Sequence, residues 1–283
     1  MYNALLFLVL LSAHLLGDFY LQWENLAKKK GDNYSWLLLH AFIYTVCVSV
    51  IFLVADVKWQ LLLFAAASHW LIDSFKWFLK KTKLPRAILF ISDQALHGIT
   101  LWLLAILTPE VAIRPWLTFL PGSFWPWLTL ILLLLKPVNI CVNILFGEYA
   151  SAAKAESRRQ DLEAAQKRQV NARDASQQGE VFETTLEAEG AGAWVGSLER
   201  LLAVLFAFLG QYAAMGLLIA AKSMARFERI NKNPAFAEYY LIGTLFSILF
   251  ALAAYLFVFK VVFPISVPIL PTPIMLITPT PMP

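Results

Sequence analysis

MYNALLFLVLLSAHLLGDFYLQ, residues 1 to 22, decides the fold. Its first part reads as hydrocarbon, and about 20 such residues are what a helix needs to cross a lipid core about 30 Å thick. The run exceeds the apolar stretch of a secretion signal and no small-residue cleavage site follows, so it is expected to remain as a spanning helix. Yet it closes on HLLGDFYLQ. A histidine, an aspartate and a glutamine stand where lipid tolerates none of them without a partner.

The rest of the chain repeats the theme. It is 59% hydrophobic and only 15% charged, which excludes an ordinary soluble globule of this length. Apolar runs of spanning length fall near residues 3–23, 34–55, 58–79, 86–107, 124–146, 197–221 and 239–262. Helices are the spanning form, because lipid cannot satisfy a free backbone amide. The fold class is therefore all-α: a polytopic transmembrane helix bundle of seven spans with a polar helical insert. Trp23, Trp36, Trp59, Trp77 and Trp125 lie near helix ends, as an aromatic belt requires. Cys47 and Cys141 sit in apolar segments and offer neither a disulfide framework nor a metal knuckle. A net charge of +4 fits membrane loops better than a nucleic-acid surface.

The organisation follows from composition. Residues 1–113 form a four-helix core, and 114–146 an interfacial turn, broken by prolines, before a fifth helix. Residues 147–193 are a polar insert, helix-forming in EYASAAKAESRRQDLEAAQKRQ and then an acidic flexible connector in GEVFETTLEAEGAGA. Residues 194–263 hold two further helices with a basic connection. Residues 264–283 have too many prolines to span again. The basic loops, Lys28 to Lys30 and Lys80 to Arg86, are expected in the cytoplasm, which puts the N-terminus outside and the insert inside. Lys222, Arg226, Arg229 and Lys232 contradict that count. Either a helix is miscounted or this stretch folds back.

The polar residues of the first four helices form a pattern. The four histidines of the chain are His14, His40, His69 and His97, one per helix. Three have an aspartate one turn away, in HLLGD, HWLID and DQALH. That spacing puts His14 with Asp18, His69 with Asp73, and Asp93 with His97, each pair on one helix face. His40 stands alone. Although the helices alternate in direction, these residues converge on one slab in the inner half of the membrane, with Gln22, Lys76 and Gln94 alongside. Such a set suits a divalent metal, zinc, manganese or iron, held by His14, Asp18, His40, His69, Asp73, Asp93 and His97. Seven groups exceed one tetrahedral site, so they suit two ions, or one ion with hydrogen-bonded support. A proton or ion relay and haem ligation use similar residues, but haem does not need the aspartates.

HLLGDFYLQ, LLLHA, HWLIDSFK and DQALH also resemble the N-terminal part of a bacterial integral-membrane family, the domain of unknown function 3307. GSLERLLAVLFAFLGQ, AAKSMARFERI and AEYYLIGTLFS are similar to the closing segments of its longer members. The resemblance implies a multi-pass protein of a bacterial or phage inner membrane and supplies no reaction. By analogy of style alone, the pattern is similar to that of inner-membrane metal-dependent hydrolases.

The function expected is a metal-dependent intramembrane enzyme. It is a hydrolase acting on a lipid or lipid phosphate, with one of Asp18, Asp73 and Asp93 as general base. Lys222 and Arg226, one turn apart, are the candidate anion site. The alternatives are a proton- or ion-coupled carrier or channel subunit using the same residues, and a membrane anchor that presents residues 147–193.

Overall fold

A computed structural model describes residues 3–109, 111–112, 114–117, 119–174 and 191–264, and these are built of helices. Helix α1 (Ala4–Leu15) starts at Asn3, whose side chain accepts from the Leu6 N–H at 3.0 Å. It runs on into a π-helical turn, Leu16–Tyr20. A short α2 (Glu24–Lys29) leads to α3 (Tyr34–Ser49), capped by Asn33 and extended by α4 (Ile51–Val54). Next come α5 (Trp59–Leu79) and α6 (Arg86–Leu107). Pro85 directly precedes α6, where a missing N–H costs little. The second half comprises α7 (Phe124–Leu134), α8 (Lys136–Asp174), α9 (Ala191–Phe208), α10 (Tyr212–Ala225) and α11 (Phe227–Lys232). It ends with α12 (Pro234–Leu256) and a π-helical turn, Phe257–Val262.

Among the described residues, four stretches are long and apolar enough to cross a membrane: Tyr34–Val54, Arg86–Leu107, Phe124–Gln166 and Pro234–Val262. Ala4–Tyr20 and Tyr212–Ala225 are apolar but shorter. Helix α5 has the length, at 21 residues, but carries His69, Asp73 and Lys76. Its outer face exposes Leu63, Phe64, Leu71 and Phe75, while His69 and Asp73 are buried. Apolar outside and polar inside is the order expected when lipid is the solvent. One half of the bundle is closed by an apolar core that includes Leu6, Leu10, Val48, Leu62, Leu101 and Ala105.

Two expected spans are broken. The run 124–146 is interrupted at Leu135, which leaves helical geometry at φ −83 and ψ −93 before helix resumes at Lys136. Pro137 is the cause, since its ring has no N–H to give and crowds the preceding turn. Side chains take the freed groups. The Tyr20 hydroxyl accepts from the Lys136 N–H at 3.3 Å and donates to the Leu132 carbonyl at 2.7 Å. Arg200 Nε donates to the Leu134 carbonyl at 2.6 Å, and an Arg200 terminal nitrogen donates to Leu135 at 3.3 Å. The run expected from residue 197 starts earlier: α9 begins at Ala191, and Arg200 is buried within it. Beyond the break α8 continues through Asp174, so the fifth helix and the first part of the insert are one element. Residues 175–190 of the polar insert, which hold most of the expected connector, and residues 265–283 of the tail lie outside the described residues.

The run 197–221 is two helices. Gly210, at φ 70, turns the chain between α9 and α10 in a conformation that glycine adopts without strain. Glu199 and Lys222, at similar distances either side of that turn, are hydrogen-bonded, so the pair is an antiparallel hairpin. One expected span is thus two helices. The chain returns to the end it came from, and the basic stretch lies against the polar half of α8. Gln160 Nε2 donates to the Lys232 carbonyl at 3.0 Å, and Asn233 Nδ2 to Ser157 Oγ at 2.8 Å. Helices α1 and α7 run parallel, with Ser12 against Thr129 and Tyr20 against Leu132, so α8 leaves the bundle where α1 ends. Lys28 to Lys30, the polar half of α8 and residues 222–232 thus share one end. The other end is tied by Arg114 to Asp56 at 3.3 Å and Asn3 to the Pro109 carbonyl at 3.4 Å.

Candidate metal centre

The four helices bring all seven His and Asp residues into one buried cluster, from His40 at 0% exposure to Asp18 at 7%. The partners, however, are not those that spacing suggests. Within each helix the two groups stand side by side, aimed at the bundle axis rather than at each other. His14 to Asp18 is 3.9 Å, His69 to Asp73 is 3.8 Å and His97 to Asp93 is 3.8 Å. The close contacts run across helices, and the histidine without an aspartate of its own is their hub. His40 Nε2 lies 3.0 Å from Asp18 Oδ1, 3.3 Å from Asp73 Oδ2 and 3.3 Å from His69 Nε2. His69 Nε2 lies 3.5 Å from Asp18 Oδ1 and 3.8 Å from Asp73 Oδ2.

Those four atoms come from α1's π-turn, α3 and α5. Five of their six separations are thus between 3.0 and 3.8 Å. Zinc with nitrogen and oxygen ligands at 2.0–2.2 Å in a tetrahedron needs donors roughly 3.3–3.6 Å apart. The π-helical turn carries Asp18, and such turns re-aim side chains at functional sites. Gly17 in that turn lets Tyr44 pass close, and the Tyr44 ring stacks on His69 with centroids 3.5 Å apart and planes at 6°.

A second layer surrounds the four. His97 Nδ1 lies 2.9 Å from the Asp93 backbone carbonyl, which can only accept. That bond fixes the tautomer, leaving the buried Nε2 as a lone pair with no hydrogen-bond partner. Asp18 divides its oxygens: Oδ1 faces His40 and His69, while Oδ2 receives Gln94 Nε2 at 3.1 Å and lies nearest His14. Gln94 Nε2 also reaches Asp93 Oδ2 at 3.0 Å, and Gln94 Oε1 lies 3.4 Å from His14 Nε2. Lys76 Nζ donates to Asp93 Oδ2 at 2.6 Å, and Lys30 Nζ to Asp73 Oδ2 at 3.4 Å. Three overlapping groups have metal-ligand spacing: His14, Asp18 and His97; Asp18, His40 and His69; and His69, Asp73 and His97.

All seven residues lie between 14 and 97, inside the stretch, residues 6–120, that matches the family model described as Protein of unknown function (DUF3307). The chain is similar to that family over this stretch alone. The motifs resembling longer members of that family lie beyond the matched stretch. No curated protein and no solved structure is matched by the chain.

The cluster opens to one side through a cavity of about 430 Å³, lined by Asp18, Asp73, Gln22, Gln94 and the lysines Lys30, Lys76 and Lys80. Gln22 and Gln94 line this cavity, as does Trp77, which was expected in a lipid belt. Lys222 and Arg226 do not line it. Lys222 is hydrogen-bonded to Glu199 on the α9–α10 hairpin. Spacing alone missed Lys30, which read as a loop charge. It also missed Tyr44, although Tyr44 follows His40 by one turn and so shares its face.

Proposed function

We propose that this cluster is an intramembrane divalent-metal centre and that the protein is a hydrolase. The observation that carries this reading is the approach of His40 Nε2, His69 Nε2 and Asp18 Oδ1 to within 3.0–3.5 Å of one another, with Asp73 Oδ2 3.3 and 3.8 Å from the two histidines. Two imidazole nitrogens 3.3 Å apart between two carboxylates are a donor set in search of a cation. Zinc suits the four donors best, with manganese or iron served if His14 and His97 add to them. A bound divalent ion supplies a water acidic enough to act as a nucleophile near neutral pH.

The chain's own residues supply the rest. Asp93 stays outside the four-donor set, with Oδ1 buried and free of hydrogen bonds, and would be the chain's own proton acceptor if the centre held an ion. Gln94 holds Asp18 and Asp93 in register through its amide nitrogen. The apolar core behind the cluster closes it to water on that side.

That closure argues against the carrier reading. A relay needs a path at both ends, and the histidine cluster runs into Leu101, Ala105 and Leu62. The basic loops, the polar half of α8 and residues 222–232 share one end, and the positive-inside rule makes it cytoplasmic. The protein then sits in a bacterial inner membrane with the cavity facing the cytoplasm.

Elemental analysis of the purified full chain tests the centre. Stoichiometric zinc, manganese or iron is expected, lost in His40→Ala and in His69→Ala. A folded wild-type chain that binds none of them overturns the proposal, and a Soret band would assign the histidines to haem.

A further inference from the structure

The cavity beside the centre is used by no step above. It is bounded by Asp18, Phe19 and Gln22 after α1, by Lys30 and Gly31 after α2, and by Lys76, Trp77 and Lys80 at the end of α5. Phe90 of α6 and Ile140 of α8 complete an apolar wall. Its volume of about 430 Å³ admits a polar headgroup and the start of a chain, not two acyl tails.

Charge decides what kind of headgroup. Three buried carboxylates, Asp18, Asp73 and Asp93, face two lysines, Lys30 and Lys76, while Lys80 is offset by Asp32 at 2.8 Å. The metal-free centre therefore has one negative charge in excess. A divalent cation with neutral imidazoles turns that into one positive charge in excess, beside the cavity. An ammonium has three donors. Lys30 and Lys76 each give one to a carboxylate, so others remain for a ligand in the cavity they line. The aromatic and aliphatic wall next to these lysines suits a hydrocarbon stem.

We infer that this cavity is the substrate subsite, and that it takes the phosphomonoester headgroup of a membrane lipid between Lys30, Lys76 and the metal. The inference rests on the metal centre proposed above. It replaces Lys222 and Arg226 as the anion site. Hydrolysis there would transfer the phosphoryl group to water, breaking the P–O bond to the lipid and leaving a lipid alcohol and inorganic phosphate.

The test uses the full chain in neutral detergent, loaded with Mn²⁺, with metal content measured first. The readout is paramagnetic relaxation of ³¹P in dihexanoyl phosphatidic acid, which senses only phosphorus close to the ion. Strong relaxation is expected, with little for dihexanoyl phosphatidylcholine. Lys30→Gln with Lys76→Gln is expected to weaken binding by about 10- to 100-fold, the weight of a charge-assisted hydrogen bond or two. Lys30→Arg with Lys76→Arg, which keeps both charges, is expected to retain it. Mn²⁺-loaded protein that relaxes both lipids alike, or a glutamine variant that keeps its Mn²⁺ and binds as wild type, overturns the subsite while the metal centre stands. Inorganic phosphate relaxed as strongly as phosphatidic acid overturns the lipid assignment. A chain that takes up no Mn²⁺, zinc or iron sinks the metal centre, and the subsite with it.

Discussion

Replacing Gly17 by alanine adds one methyl group to the G of HLLGD and removes no ligand. Its Cβ would stand 2.9 Å from Tyr44 Cδ2 and 3.7 Å from Tyr44 Cα. Carbon atoms settle at about 3.5–4.0 Å, so the ring must retreat by about 0.6 Å or more. It has nowhere open to go: Tyr44 is 1% exposed and its face lies on His69 at 3.5 Å. The displacement passes to His69, one of the four proposed donors. Overpacking costs about 1–3 kcal/mol. The gain in helix propensity from glycine to alanine offsets about 1 kcal/mol, so Gly17→Ala is expected to lose up to about 2 kcal/mol of stability. Donors must sit within about 0.5 Å of their working positions, so metal affinity should fall by about 10- to 100-fold, as for loss of a supporting contact. Thermal unfolding in detergent reads the first effect. Competition for Zn²⁺ against a chromophoric chelator reads the second, and Tyr44→Leu in the Gly17→Ala background should restore part of it. Wild-type affinity and stability in Gly17→Ala would refute the claim that Tyr44 positions His69.

Four further outcomes follow from the same geometry. Gln94→Leu should weaken Zn²⁺ binding by about 10- to 100-fold, and should weaken it less than Asp18→Asn or Asp73→Asn in the same competition assay. Chelating the metal should lower the melting temperature, since an ion at about 100 times its Kd stabilises the fold by about 2.7 kcal/mol; an unchanged melt would count against the centre. Arg200→Met strips the Leu134 and Leu135 carbonyls of their donors, at about 1–3 kcal/mol for each buried acceptor left bare, and should be markedly less stable than Tyr20→Phe by thermal melt. A membrane-impermeant maleimide should label Asn231→Cys and Lys83→Cys from one side of the membrane and Asp56→Cys from the other; labelling of Asn231→Cys with Asp56→Cys would refute the hairpin topology.

Much of the site was legible because lipid is an unforgiving solvent. A buried carboxylate or imidazole in a spanning helix has to face its neighbours, so spacing within apolar runs placed all seven residues in one cluster. Spacing could not say which group meets which. Two side chains one turn apart on the same helix reach in parallel, so the contacts of 3.0–3.3 Å come from another helix, as at His40. Lys30 was hidden for a different reason. It belongs to a loop whose path no periodicity encodes, and only the packing of α2 under the bundle brings it to 3.4 Å from Asp73. The broken spans were illegible because composition continues across them. Gly210 looks like any helix glycine until its φ of 70 is seen. The break ahead of Pro137 also depends on Tyr20 and Arg200 arriving from elsewhere to cap it.

The sequence by itself determined helices apolar enough to cross a membrane, and the helix faces on which four histidines and three aspartates lie. Period and polarity are local properties, and lipid leaves them few solutions. Only the tertiary structure decided that His40 is the hub, that lysines from two elements line the cavity beside it, and that the basic C-terminal stretch returns to the end from which its hairpin began. Those facts depend on where distant segments meet, and contact across the bundle is not written in the order of residues along one helix.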